Sequence, residues 1–299
     1  EISCSLVGSE MCIRDSNVVK PDLLLATDPD CDRVGIAVPS DNGYELFTGN
    51  EVGAMLLEYI CSERTKMGTM PADPVAVKTI VTTDIAAKIA KEYGVKLIEV
   101  LTGFKFIGEQ IGFLEDKGQE DRYIFGFEES YGYLAGSYVR DKDAVVASML
   151  ICEMAAFYRT KGISLIQARE NMYKKYGVYI HSQSSFVCEG VTGMERMKEI
   201  MSDLRTNTPK TIGGLTVTRF EDYLASTSVD TATGAKTMLT LPKSDVLTFK
   251  LTDGASVIIR PSGTEPKIKA YYTTTGTTKA EAAALEKTIS DDFAKILGF

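Results

Sequence analysis

Three aspartates stand at alternate positions in Asp28-Pro29-Asp30-Cys31-Asp32-Arg33, directly after an apolar run. Carboxylates crowded on one turn repel each other and raise one another's pKa, a cost that a divalent cation preferring oxygen ligands removes. Asp28, Asp30 and Asp32 are therefore the candidate metal ligands. Pro29 stiffens the turn, and Arg33 adds a fixed cationic fork suited to a phosphate oxygen beside the metal. A solvated acidic turn is the competing reading, because aspartate is favoured in turns for local reasons. A calcium loop of the EF-hand type is another, but it needs glycine at its sixth position and glutamate at its twelfth. The chain has Arg33 and Pro39 there.

Two further segments carry groups that could hold a phosphorylated sugar. Arg260-Pro261-Ser262-Gly263-Thr264-Glu265-Pro266 joins two predicted strands and offers a guanidinium, two hydroxyls and an unobstructed amide at Gly263. Arg260 would pair bidentately with phosphate oxygens, while Ser262, Thr264 and nearby N–H groups supply the remaining donors. Serine, glycine and proline are also what a plain hairpin turn requires. Gly126-Phe127-Glu128-Glu129-Ser130-Tyr131-Gly132 places two carboxylates and a hydroxyl after an apolar strand. A carboxylate accepting from two vicinal hydroxyls fixes a sugar ring well, and an exposed acidic turn is the alternative. Thr102-Gly103-Phe104-Lys105 and Arg140-Asp141-Lys142-Asp143 each put a lysine near a predicted strand-to-helix junction, where helix-start amides favour anions.

The composition narrows the partners. With 299 residues and 44% hydrophobic content the chain is long enough for about two domains with real cores. A net charge of -8 and the lack of a basic stripe argue against nucleic acid and for small-molecule chemistry. The six cysteines form neither a C-x-x-C pair nor a zinc-spaced cluster, so they read as reduced thiols of a cytoplasmic protein. A single histidine, His181, supports neither a catalytic triad nor a histidine metal site. No apolar run approaches membrane-spanning length, and the first residues lack the pattern of a signal peptide. Residues 1–16 have no periodicity leading into the next strand and read like translated sequencing-adapter text; they are expected to be foreign.

The elements that must position these groups follow from periodicity. Residues 23–26 predict a strand buried on both faces and residues 34–38 another, with the aspartates on the turn between them. A helix begins at about Asn50, its N-cap, with Val52, Met55, Leu56, Tyr59 and Ile60 on one stripe. Strands at 75–81, 95–101 and 123–127 alternate with helices near 85–93, 104–114 and 143–162, and Ser164 caps a further helix ending at Gly177. This alternation predicts an α/β/α arrangement on a mostly parallel sheet, with ligands beyond the carboxyl ends of the strands. Beyond Tyr179 the pattern changes to strands at 246–251, 255–259 and 268–273, a helix near 191–205, a hairpin at Asp253-Gly254 and a closing helix at 279–297. That predicts an antiparallel α+β domain. The polar stretch 226–234 reads as a loop.

Taken together and in this order, the aspartate turn, Gly126-Phe127-Glu128-Glu129-Ser130 and the 260–266 segment resemble the α-D-phosphohexomutase superfamily, most closely its bacterial phosphoglucomutases. The resemblance implies Mg²⁺ on Asp28, Asp30 and Asp32, with Arg33 beside an enzyme phosphoserine. It implies sugar-hydroxyl contacts from Glu128 and Ser130, phosphate contacts from Arg260, Ser262, Gly263 and Thr264, and further contacts from Lys105 and Lys142. Arg33 and Lys105 are the expected catalytic contributors. The expected activity interconverts glucose 1-phosphate and glucose 6-phosphate through glucose 1,6-bisphosphate, which serves as intermediate and activator. The same family leaves phosphomannomutase or phosphopentomutase activity open, and a non-catalytic sugar-phosphate binder is a further alternative. Family members have four domains, with the phosphoserine in a loop resembling T-A-S-H-N-P; no such segment occurs in these 299 residues, so no serine here is assigned that role. The expected organisation is the end of domain 2 at 17–48, domain 3 at 49–177 and domain 4 at 178–299, in a truncated chain that is inactive alone.

Overall fold

A computed structural model of the chain describes residues 18–188, 190, 192–263 and 265–299. The expectation for residues 1–16 and the placement of Thr264 lie outside the described residues. The chain divides into two compact units, the first ending at Tyr176 and the second running from Gly177 to Phe299.

Unit 1 begins with β1 (Leu24–Thr27), β2 (Val34–Ser40) and β3 (Gly43–Phe47), an antiparallel three-stranded sheet in which Thr27 pairs with Val34 across the aspartate turn. β1 is half-buried along its length rather than covered on both faces, as one of the two outer strands of this sheet. β2 carries the apolar burial expected of a central strand.

The next part alternates strand and helix: α1 (Gly49–Met67), β4 (Val75–Thr79), α2 (Ile85–Tyr93), β5 (Lys96–Val100), α3 (Phe104–Glu115), β6 (Tyr123–Phe127), β7 (Tyr133–Leu134), α4 (Ala144–Thr160) and α5 (Leu165–Tyr176). The sheet order is β5-β4-β6-β7, with β4 parallel to both neighbours and only β7 antiparallel. The apolar side chains of β4, α3 and β6, among them Val75, Val77, Ile107, Ile111 and Tyr123, form one buried cluster. The start of α1 differs from expectation. Thr48 is the N-cap, in a capping box with Glu51, and Asn50 lies inside the helix with its side chain buried. A threonine followed three residues later by glutamate satisfies two orphan amides reciprocally, which Asn50 at the same place cannot do.

Unit 2 contains β8 (Val178–Val187), α6 (Gly193–Thr206), β9 (Thr211–Ile212), β10 (Leu215–Asp222), β11 (Thr227–Asp230), β12 (Lys236–Met238), β13 (Leu247–Leu251), β14 (Ser256–Pro261), β15 (Lys267–Gly276) and α7 (Lys279–Leu297). Its sheet runs β12-β11-β10-β13-β14-β15-β8 and is antiparallel throughout, with β9 on β10. Asp253 and Gly254 both adopt left-handed φ, 58° and 72°, at the β13–β14 turn. The stretch 226–234 is not a plain loop: residues 227–230 form β11 against β10, burying Ser228. Its Ser/Thr-rich composition hides a strand whose stability comes from ladder pairing, which local propensity does not report.

Candidate functional site

The aspartate turn is tightly cross-linked within itself. The Asp28 carboxylate is almost fully buried; Oδ1 accepts from the Asp32 and Arg33 amides at 3.1 and 3.0 Å, and Oδ2 accepts from Arg33 Nε at 2.6 Å. Burial opposes its charge, but the Arg33 amide, Asp32 and the guanidinium together outweigh that and hold its pKa down at about 2. Cys31, at the apex, has a left-handed φ of 56°, and its amide donates to the Asp28 carbonyl at 3.0 Å. One ligand oxygen from each of Asp28, Asp30 and Asp32 can be chosen so that all lie within 4.8 Å of one another.

Asp32 is where a cation fits. Its Oδ2 pairs with Lys142 Nζ at 2.8 Å, whereas Oδ1 is buried and lacks a hydrogen-bond partner, the Nε of Arg33 lying 3.4 Å away. Burial, with the nearby Asp28 charge, raises the Asp32 pKa although Lys142 opposes the shift. A buried carboxylate oxygen without a donor, within a carboxyl group whose ionisation is disfavoured, is the environment that an oxygen-seeking divalent ion relieves. Asp30 is exposed and faces solvent from the same turn.

This turn is fastened to the acidic turn after β6. Arg33 forms a bridge with Gly132 and Val34 N donates to Tyr131 O at 3.2 Å, while the first residue of α4, Ala144, donates its amide to Cys31 O at 3.3 Å. Glu128, 7% exposed, accepts from the Gly103 amide at the start of α3 at 3.0 Å. Burial raises its pKa despite the opposing pull of Lys142 and of that amide. Ser130 is half-buried on the same turn.

Glycines make the approach possible. A Cβ on Gly132 would lie 2.3 Å from Lys142 Cδ, so glycine gives the lysine room for the path it takes to Asp32. A Cβ on Gly49 would lie 2.2 Å from the Glu129 carbonyl, which seats the first turn of α1 against the acidic turn. The Lys142 ammonium also contacts Asp141 at 2.9 Å, and these carboxylates raise its pKa against the effect of burial. Lys105, in the first turn of α3, is exposed with Nζ 4.9 Å from the Phe106 ring centroid, and no ion pair joins it to the aspartate turn among the described residues.

In unit 2, Arg260 lies near the end of β14, its guanidinium donating to Tyr271 Oη from Nε at 3.3 Å and from Nη2 at 3.0 Å. The Ser262 amide donates to the Lys267 carbonyl at 2.8 Å and closes the base of the loop, while Gly263 is exposed with open space where a Cβ would be. The structure thus groups Asp28, Asp30, Asp32, Arg33, Glu128 and Lys142 in unit 1, and Arg260, Ser262 and Gly263 in unit 2. The sequence does not announce the Gly103 amide as the partner of Glu128, nor the passage of Lys142 over Gly132, nor the burial of Lys78. The signal for Lys78 is present: a lysine interrupts the otherwise apolar run of β4.

Comparison with known proteins finds two matched regions, one within each unit, and the aspartate turn precedes the first of them. Residues 48–176 match the phosphoglucomutase/phosphomannomutase alpha/beta/alpha domain III, and residues 204–291 match the C-terminal domain of the same proteins. A phosphoglucomutase from Staphylococcus aureus is 37% identical over 263 residues, 88% of this chain and 46% of the relative. The chain therefore spans about half the length of the curated relatives it matches. Among solved structures, the open form of pp63/parafusin from Paramecium superposes with a TM-score of 0.66 at 20% identity, over 93% of this chain and 45% of that one. A family protein from Burkholderia thailandensis gives 0.57 at 14% identity, over 95% and 48%. Both likenesses are of fold.

Proposed function

Because the chain belongs to the phosphoglucomutase/phosphomannomutase family of α-D-phosphohexomutases, we propose that it supplies the metal, sugar and phosphate contacts of a phosphoglucomutase. The reaction interconverts glucose 1-phosphate and glucose 6-phosphate through a phosphoserine and a glucose 1,6-bisphosphate intermediate. One observation carries this reading: Lys142 joins the three-aspartate turn to the Glu128 turn within a single unit.

Asp28, Asp30 and Asp32 are the residues that would hold Mg²⁺. When bound, the ion neutralises charge on phosphoryl oxygens, which is most of what phosphoryl transfer asks of a protein. Arg33, whose Nε edge is committed to Asp28, directs the rest of a half-exposed guanidinium at a phosphoryl oxygen. Glu128 and Ser130 accept and donate to sugar hydroxyls, and Lys142 and Lys105 add positive charge for the phosphorylated substrate. In unit 2, Arg260, Ser262 and Gly263 hold a phosphate monoester, with Thr264 completing the set. The phosphorylated serine is not assigned to a residue of this chain.

Calorimetric titration of the protein with glucose 1-phosphate in the presence of Mg²⁺ tests this reading, with mannose 1-phosphate and ribose 1-phosphate alongside. Saturable binding that favours glucose 1-phosphate and is lost in Glu128→Ala supports it. A preference for the mannose or pentose ester would assign the sibling activity. No binding of any ester would remove the reading.

A further inference from the structure

The buried lysine of β4 has no part in the contacts described so far. Lys78 is the fourth residue of a strand whose five residues are all buried, and its side chain has no exposed surface. An ammonium in that position is costly unless each of its three hydrogens meets an acceptor. Nζ lies 3.0 Å from the Thr82 carbonyl, 3.5 Å from the Thr79 carbonyl, 3.0 Å from Asp84 Oδ1 and 2.5 Å from Glu99 Oε1. Burial pulls its pKa down, but Asp84 and Glu99 outweigh that and keep it charged. Packing alone is served by an apolar residue, as Val75 and Val77 show on the same strand.

What the ammonium holds is the turn at 79–84, and that turn reaches the acidic turn by two routes. The Thr79 and Thr82 hydroxyls are 2.7 Å apart, and Thr79 Oγ1 is 3.5 Å from Glu129 Oε2. The Thr83 amide donates to Asn50 Oδ1 at 2.9 Å, and the neighbouring Gly49 is the residue pressed against the Glu129 carbonyl. Lys78 is also registered directly opposite Phe127, the residue before Glu128.

We propose that Lys78 is a positioning residue for the turn bearing Glu128 and Ser130, acting through the 79–84 turn it pins at the carboxyl end of β4. The proposal rests on the reading of Glu128 and Ser130 as sugar contacts. Methionine at this position fills similar space but removes the ammonium from the Thr82 carbonyl and leaves the two carboxylates without their counter-charge, while the Thr79 carbonyl keeps the Thr82 amide as donor.

The test is Lys78→Met in the whole chain, read by three measurements: backbone amide shifts, glucose 1-phosphate titration and Mn²⁺ affinity at the aspartate turn. The expected result is that amides of 128–132 shift together with those of 79–84, and that glucose 1-phosphate affinity falls about tenfold or more. Mn²⁺ affinity falls less than glucose 1-phosphate affinity, since Asp28 is held mainly within its own turn and meets the 128–132 turn only through Arg33 and Val34. Shifts confined to 79–84 and Glu99, with sugar-phosphate affinity unchanged, overturn the proposal. Should the parent fail to bind glucose 1-phosphate, the proposed function falls, and the amide shifts at 128–132 still decide the role of Lys78. Should Lys78→Met not fold, Asp84→Asn keeps the ammonium and removes one exposed counter-charge. Smaller shifts at both turns are then expected, and shifts limited to the 79–84 turn refute the proposal.

Discussion

The aspartate turn of unit 1 and the 260–266 loop of unit 2 are both proposed to serve phosphate chemistry, yet they are held in opposite ways. Asp28 is buried and bound by two amides and a guanidinium, so the turn is built around its own charge. The unit 2 loop is closed at its base by the Ser262 amide and the β14–β15 ladder, while Gly263 has no neighbour at its Cβ position. Charge that is internally paired and desolvated resists rearrangement, whereas a loop held at its base can close on a ligand. In the first region the proposed function and stability therefore share residues, and in the second they separate.

The sharpest way to break this contrast is Arg260→Ala. Binding of a phosphate monoester should weaken by about 2–5 kcal/mol, as for the loss of a charge partner, while the urea midpoint of unfolding barely moves. A large drop in the midpoint with intact binding would erase the distinction. Asp28→Ala should do the reverse, with stability falling by about 2–3 kcal/mol because two amides and Arg33 lose their acceptor, and divalent-metal binding disappearing with it. The sign with pH is set by a pKa lowered to about 2. The Asp28 contribution is fully present above the unfolded value of about 4 and is lost as pH falls toward the folded one. A parent and an Asp28→Ala protein that keep their stability gap at the lowest pH would contradict this.

Gly132→Ala should cost less, about 1–3 kcal/mol for overpacking, because its methyl must shift the stem of Lys142, whose ammonium pairs with Asp32. The informative readout is Mn²⁺ affinity, expected to change while unit 2 phosphate binding does not. The smallest effect is expected for Glu128→Gln. Burial raises the Glu128 pKa, so the folded state prefers the protonated form. The stability this gives is present below the unfolded value and is lost as pH rises through the folded value. The glutamine protein should melt above the parent at pH 8, with the gap closing toward pH 4, even as sugar-phosphate affinity drops. A lower melting point at pH 8 would show that the charge of Glu128 is already compensated in the fold.

Much of the fold was legible because it follows short-range rules. The helix at 85–93 ends where Gly94 adopts a left-handed φ of 66°, and α7 begins at a threonine whose hydroxyl accepts from the Glu281 amide. Three aspartates on a turn between strands mark a candidate cation site on charge alone, and the structure brings an oxygen of each within 4.8 Å of the others. What stayed hidden depends on partners far along the chain. Thr48 rather than Asn50 caps α1, and Asn50 is spent on Thr83, a contact that pairwise spacing does not reveal. β11 is a strand through pairing with β10 despite a loop-like composition. The close passage of Lys142 over Gly132 depends on a partner ten residues on, and Lys78 reads as an oddity in a strand until the 79–84 turn folds around its ammonium.

The most direct test of the account is a Mn²⁺ titration of the protein followed by electron paramagnetic resonance, in the parent and in Asp28→Ala, Asp30→Ala and Asp32→Ala. The account predicts one saturable site, displaced by Mg²⁺ and lost or strongly weakened in each variant. A site that survives all three substitutions, or no saturable site at all, would contradict it.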